Sequence, residues 1–503
     1  LRRWFPGLVA LLALGAIGLA LARMLAPLQG LSVTQMPVGE IPATLYRPAA
    51  GGPAPVVVIA HGFAGSRRMM EPFATTLAQA GFIAVTFDFP GHGGNPTPLA
   101  GGLSDDAAAA GVLMAALGRV VEAARPLGDG RFALLGHSMA GDIVTRWAIA
   151  HPGAEATVGL SLFAKGATPD LPRNLLVIVG AWEPEILQAE ARRLVGMAAP
   201  GGVVEENVTY GDPATGRARR LVLADGVEHI GVIYARESLE AARAWLNAAF
   251  GRSAAGLVDA RGPWIGVLLG GLVLLAWPLS RLLPRVEPLA QGGGLPWRRF
   301  WVVALLPAVL TPLVLRVVPT HALPLLLGDY LAAHCALYGV LTAALLWRLG
   351  APRPRWPGRP GGAALAAAAL AGFAILGIGL AIDRFALAFV PAPHRAWLVP
   401  VLLCGTLPWF AADEWAARGP GAARLAYPAT KALFLLSLVG AVALDPPRLF
   451  FLVIIVPVML VFLLVFGLLS RWAFRATGSP WPAAAANALA LAWAIAATFP
   501  VVP

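Results

Sequence analysis

The grouping of apolar residues constrains this chain more than any other feature. From Trp264 onward they gather into eight runs, at about 264–283, 299–318, 323–347, 363–390, 396–412, 427–444, 447–470 and 482–502. At about 1.5 Å per helical residue, most of these runs match a hydrocarbon core of ~30 Å. A further run, from Trp4 to about Ala26, follows Arg2 and Arg3. It is longer than the roughly 7–15-residue apolar core of a cleaved signal and lacks a small-x-small cleavage site after it, so an uncleaved anchor is expected. Residues 31–260 differ: they hold 17 Lys and Arg against 21 Asp and Glu, whereas residues 261–503 hold 18 against 6. The expected organisation is an anchor (1–30), a water-soluble domain (31–260) and a transmembrane domain of about eight helices (261–503).

Composition supports this division. With 58% hydrophobic and 13% charged residues, the whole chain is neither an ordinary soluble protein nor a disordered one. The net charge of +11 comes from short segments between apolar runs, which argues against a nucleic-acid partner. Cys335 and Cys404 both fall in apolar runs and are expected to pack inside.

Basic residues set an expected orientation. With the N-terminus in the cytoplasm, 15 positive charges lie in cytoplasmic segments, Arg281, Arg353, Arg424 and Lys431 among them, against 4 opposite. By the positive-inside rule this puts residues 31–260 on the extracytoplasmic (periplasmic) side of the cell (inner) membrane. The large excess of arginine over lysine, 36 to 2, hints at a bacterial GC-rich genome.

Within 31–260, short β-type runs alternate with helical stretches, which predicts an α/β fold with a mostly parallel sheet. Strands are expected at Val56–Ala60, Phe82–Phe87, Phe132–Leu135, Val158–Phe163, Leu175–Val179 and Arg220–Leu223. Helices are expected at Met69–Ala80, Asp106–Ala124, Met139–Ala150 and Ser238–Phe250, and residues 31–47 read as an antiparallel pair.

The sharpest local signal is Gly136-His137-Ser138-Met139-Ala140, between a predicted strand and a predicted helix. It resembles the G-x-S-x-G nucleophile elbow of the α/β-hydrolase family, with Ala140 in the last position. His61-Gly62-Phe63-Ala64-Gly65 resembles that family's oxyanion loop, and Asp88-Phe89-Pro90-Gly91-His92-Gly93 a familiar turn. The resemblance covers about 220 residues (about 31–255) and stops at the apolar spans. It implies Ser138 as nucleophile, His229 as base and Glu183 as the acid, with Glu185, Asp225 and Glu228 as alternatives for the acid. It also implies an oxyanion site at the backbone N–H groups of Phe63 and Met139. His61 and His92 are read as turn-packing residues, and His151 as a helix-end cap.

The function expected from this resemblance is a membrane-anchored serine hydrolase, esterase- or lipase-like, working through an acyl-enzyme on a lipid or other small-molecule acyl substrate. An acyltransferase with the same residues, and a transporter or sensor with a hydrolase-like accessory module, are the alternatives. No cofactor and no metal are expected, since zinc spacings, phosphate loops and dinucleotide fingerprints are missing from the sequence. The lipid bilayer is the expected macromolecular partner. Asp329, His334, Asp383 and Arg384 in the spans, with His394 in the loop after the fourth, are read as lining a shared cavity or pairing locally. Asp413 and Glu414 are expected at a span end, meeting the membrane interface.

Overall fold

A computed structural model describes residues 4–102 and 105–503. It divides into two compact units. One comprises Gly18–Val267, Asp383–Ala388 and Pro500–Pro503, and the other holds the remaining residues.

The first unit is an α/β unit. Helix α1 (Phe5–Leu25), whose residues up to Ile17 are counted with the second unit, leads into β1 (Leu31–Val38) and β2 (Ile41–Pro48), an antiparallel hairpin turning at Gly39. Then follow β3 (Val56–Ala60), α2 (Glu71–Gln79), β4 (Ile83–Phe87), α3 (Asp106–Ala124), β5 (Phe132–His137), α4 (Met139–Ala150) and β6 (Ala156–Leu160). Next come β7 (Leu175–Gly180), α5 (Glu185–Gly196), β8 (Thr209–Tyr210), β9 (Arg219–Ala224) and α6 (Arg236–Ala249). They form one sheet of order β1-β2-β4-β3-β5-β6-β7-β9-β8. The run from β4 to β9 is parallel, and the pairs β1–β2, β2–β4 and β8–β9 are antiparallel. Pro37 sits on the edge strand β1, where a missing N–H removes no essential ladder bond.

The central strands are apolar without interruption because both faces are covered. Val56, Val58 and Ala60 of β3 pack in one cluster with α3 and α4. Val57 and Ile59 pack in the other with α2 and α6. The α3 helix starts with Asp105 accepting from the Ala108 N–H at 3.0 Å, a side-chain cap. The sequence reading places strand β6 at Val158–Phe163, but the strand stops at Leu160. Ser161 takes a left-handed backbone (φ 51°), which leaves the sheet. The amphipathic α5 was not anticipated.

The second unit is helical. Its elements are α7 (Gly262–Ser280), α8 (Trp297–Leu315), α9 (Gly328–Arg348) and α10 (Pro360–Gly372), which continues as a π-helical stretch, Phe373–Gly379, into α11 (Leu380–Phe385). They are followed by α12 (Leu398–Ala417), α13 (Ala426–Leu444), α14 (Pro446–Leu449), α15 (Leu452–Thr477) and α16 (Trp481–Thr498). The first residues of α7 and the last of α11 are counted with the α/β unit. Glycines allow α9 and α12 to approach closely. A Cβ on Gly339 would lie 2.3 Å from the Pro408 backbone, and one on Gly405 would lie 2.7 Å from the Ala332 carbonyl oxygen.

Among the described residues, nine helices are long and apolar enough to cross a membrane. Eight of them coincide with sequence-predicted spans. The ninth is the Asp106–Leu127 stretch that contains α3, whose apolar residues pack on the sheet. The predicted fifth span forms α12, which is outside that set.

The structure corrects the expectations for Asp413, Glu414, Lys431 and Cys404, and gives His334, Asp383 and Arg384 the local partners that were one of their two readings. Asp413 and Glu414 do not meet an interface, because opposite charges inside the unit hold them: both are buried. Lys431 pairs with Asp413, and its ammonium lies 3.8 Å from the Tyr427 ring centroid. Arg418 Nε donates to Glu414 at 2.9 Å, and Ser470 hydrogen-bonds both residues. Lys431 is therefore a buried charge of α13 and not a loop charge. Cys404 is exposed on the outer face of α12 instead of packed inside. His334 is buried with Nε2 3.1 Å from Ser437 Oγ. Asp383 and Arg384 belong to the α/β unit, where they pair with Arg68 and Glu71.

Candidate active site

The parallel strands end on one edge of the sheet, and the predicted site residues follow those ends. Ser138 follows β5, Glu183 follows β7, His229 follows β9, and Phe63 follows β3. Open α/β sheets bind ligands at this edge because loops diverge there and helix N-termini point to it.

Ser138 makes the sharp turn between β5 and α4 with φ 55° and ψ −120°. Such a backbone is costly for a residue with a side chain and persists where its surroundings fix it. The turn requires small neighbours. A Cβ on Gly136 would meet the Ala140 carbonyl oxygen at 2.5 Å, and one on Gly141 would meet Leu162 Cβ at 2.4 Å. Ala140 itself is fully buried, so its methyl group fits where the family motif has glycine. Across the turn, a Cβ on Gly62 would come 3.0 Å from Ser138 Cβ. The loop bearing Phe63 therefore lies directly against the serine. Met139 is the first residue of α4, so its N–H has no partner within the helix.

The three predicted side chains join in one hydrogen-bonded chain. His229 Nε2 lies 2.9 Å from Ser138 Oγ, and His229 Nδ1 lies 2.7 Å from Glu183 Oε2. This arrangement fixes the tautomer: the proton on Nδ1 faces the carboxylate and the lone pair on Nε2 faces the hydroxyl. The Glu183 carboxylate is buried, at 4% exposure, and its other oxygen accepts from the Gly180 N–H at 2.8 Å and from Ser161 Oγ at 2.5 Å. The alternative acids lie elsewhere. Glu185 pairs with Arg192, Glu228 accepts from the amides of Ile230 and Gly231, and the backbone of Asp225 is held by Glu237.

Two further residues belong to this constellation. His137 donates from Nε2 to the His229 carbonyl oxygen at 2.8 Å, and its Nδ1 has no hydrogen-bond partner among the described residues. Burial, reinforced by the neighbouring His229, pushes its pKa down to about 3, so the ring stays neutral. Ser161 is the second. His137 stands inside the Gly136–Ala140 motif at a position the motif leaves open, and Ser161 falls inside the predicted Val158–Phe163 strand, so the local sequence marks neither of them out.

The remaining histidines of the motifs hold turns. His61 is buried, donates from Nδ1 to the Gly62 carbonyl oxygen at 2.8 Å and accepts from the Phe89 N–H at 3.1 Å, and burial lowers its pKa. His92 Nδ1 donates to the Pro90 carbonyl oxygen at 2.9 Å. His151 Nδ1 lies 2.9 Å from the Trp147 carbonyl oxygen at the end of α4. Asp88 ties the two loops together, accepting from the Arg67 amide and guanidinium and from the Gly94 N–H.

Segment Asp383–Ala388 packs beside these loops within the α/β unit. Arg384 donates to both oxygens of Glu71 at 3.1 Å, Ser66 Oγ accepts from the Ala388 N–H at 3.0 Å, and Tyr234 Oη donates to the Ala386 carbonyl oxygen at 3.1 Å. Glu71 also faces Arg261, which is buried and bonded to Asp259. Val501 bridges the Gly91–Leu99 loop, donating to the Gly91 carbonyl oxygen and accepting from the Leu99 N–H, both at 2.8 Å.

Sheet order, crossover helices and the serine turn define an α/β-hydrolase fold. Residues 55–156 match the family model for the alpha/beta hydrolase fold. A 62-residue stretch is 42% identical to an uncharacterized protein of Mycobacterium tuberculosis, covering 12% of this chain and 22% of that protein. The chain thus spans about a fifth of the length of the curated relatives it matches. Among solved structures, the chain is similar to TT1662 from Thermus thermophilus, with 15% identity and a TM-score of 0.35 over 44% of this chain and 99% of that one. It is also similar to a dienelactone hydrolase from Anabaena variabilis, with 18% identity and a TM-score of 0.30 over 44% and 96% of the two chains.

Proposed function

We propose that the chain is a membrane-anchored serine hydrolase that cleaves an ester of a lipid or another apolar acyl compound. The observation that carries this reading is the hydrogen-bonded chain from Ser138 through His229 to Glu183 at the end of the parallel strands. Ser138 Oγ attacks the acyl carbonyl while its proton passes to His229 Nε2. Glu183 holds the imidazole through Nδ1 and stabilises the imidazolium that forms. The N–H groups of Phe63 and Met139 face the oxygen on which negative charge develops, where fixed donors lower the barrier most. Collapse of the tetrahedral intermediate breaks the ester bond, and the alkoxide leaves with the proton from His229. Water, deprotonated by His229, then attacks the acyl-serine, and as the acyl–Oγ bond breaks the acid leaves and His229 returns the proton to Ser138 Oγ.

An apolar acyl group is favoured by the surface beside the acid. Among the described residues of the α/β unit, Phe163 and Trp182 are the exposed large aromatic side chains, at 47% and 73%, and Ile186 is 66% exposed. All three lie within three residues of Ser161 or Glu183. The distribution of arginines between apolar runs favours an extracytoplasmic placement of this unit.

The test is labelling of the detergent-solubilised full chain with a fluorophosphonate, with intact mass and peptide mapping to locate the adduct. The expected result is one adduct at Ser138, lost in Ser138→Ala and His229→Ala. Folded wild-type protein that takes up no label would overturn the assignment.

A further inference from the structure

We infer that Ser161 is a positioning residue of this site, holding the Glu183 carboxylate in the one orientation that presents its second oxygen to His229. The inference rests on the serine-hydrolase reading above.

Four observations converge on it. Ser161 is 2% exposed, and its hydroxyl is directed at Glu183 Oε1 at 2.5 Å. The same oxygen takes the Gly180 N–H at 2.8 Å, while Oε2 is left to His229 Nδ1 at 2.7 Å. The carboxylate is thereby divided, one oxygen anchored by two donors and the other turned to the imidazole. Ser161 also stands in the left-handed region at φ 51°, which side chains avoid. The chain leaves β6 here, two residues before its sequence pattern ends, and its N–H still reaches the Ile178 carbonyl oxygen at 2.8 Å. This unfavourable backbone is what turns the hydroxyl toward the acid.

The identity of the acid gives the hydroxyl a purpose. A glutamate has one more rotatable bond than an aspartate and loses more freedom when fixed. Gly180 alone supplies a single main-chain donor to its anchored oxygen. A second donor from another strand end closes the remaining freedom, so Oε2 meets Nδ1 without a search at each turnover.

Two substitutions separate this role from a fold-supporting one. Ser161→Gly removes the hydroxyl and also relieves the left-handed backbone, which offsets part of the stability lost with the hydrogen bond. Ser161→Ala removes the hydroxyl and keeps the backbone cost. Both are compared with wild-type full chain for hydrolysis of a p-nitrophenyl ester across pH and for fluorophosphonate labelling rate. The expected result is a roughly ten- to hundredfold fall in kcat for both variants. The acid limb of the pH profile should move upward in both, by about half a unit or more. With one donor gone, more of the Glu183 negative charge rests on the oxygen that faces His229, which favours the charged imidazolium and carries the limb to higher pH. Wild-type rates in Ser161→Gly, or a slower enzyme whose limb has not moved, would overturn the role. Wild-type protein without labelling at Ser138 would overturn the underlying reading instead, which keeps the two failures distinct.

Discussion

The two units bury polar side chains to different ends. In the helical unit the buried charges close on one another: Lys431 meets Asp413, and Arg418 meets Glu414 with Ser470 between them. In the α/β unit the chain Glu183–His229–Ser138 is open. It starts on a buried carboxylate, whose side chain is fully covered, and passes through an imidazole still 17% exposed to a hydroxyl on a strained turn. The closed clusters balance charge and have no group left over to react. The open chain ends on an atom that faces the sheet edge. The α/β unit holds a closed cluster too, Glu71 with Arg261 and Arg384, so closure follows from the company a charge keeps rather than from the unit it lies in.

This contrast can be tested from its strongest consequence to its weakest. Ser138→Ala should lower ester hydrolysis by roughly ten-thousandfold while leaving the unfolding temperature nearly unchanged, as steady-state kinetics and a melting curve will read. Lys431→Met should do the reverse. It strands the Asp413 carboxylate among helices, at a cost of about 3–5 kcal/mol, and adding Asp413→Asn should recover much of it. Unfolding in detergent measures both variants.

A third expected outcome concerns pH. The unfolded chain protonates His137 near pH 6.5, but the folded site resists until about 3. Between those values the unfolded state binds more protons, so stability falls as pH drops below about 6.5. At pH 5 the penalty from this residue alone is about 2 kcal/mol. Urea midpoints at pH 7.5 and 5 should show the loss, and His137→Asn should flatten it. The smallest effect is expected at a helix end: Asp105→Ala removes the cap of α3 and should cost about 1 kcal/mol of stability with no change in turnover.

The sequence displays this architecture unevenly, for physical reasons. Continuous apolar runs such as Val56–Ala60 announce strands covered on both faces, and the serine turn is legible because steric crowding at Gly136 and Gly141 restricts what can stand there. Glu183 and His229 were legible from their places after strands. Ser161 was hidden because its apolar neighbours extend the strand pattern to Phe163, while the backbone breaks away earlier for the sake of one hydroxyl. Likewise, Asp413, Glu414 and Lys431 look like interfacial charges in a linear reading, since partners 18 and 56 residues apart are invisible to it. Arg384 is an extreme case, with its partner Glu71 lying 313 positions earlier.

The α3 segment carries a consequence for anyone mapping this protein across a bilayer. It is as long and apolar as a membrane span, yet its apolar face packs on the sheet. Counting it as a crossing while omitting α12 leaves the total at nine, so the tally conceals the exchange. Relative to the spans expected from the sequence, which include α12 and not α3, every connection between the two helices would then change compartment. Reporter fusions placed after Leu127 and after Arg348 would reveal that inversion of parity, whereas a fusion at the far end of the chain would not.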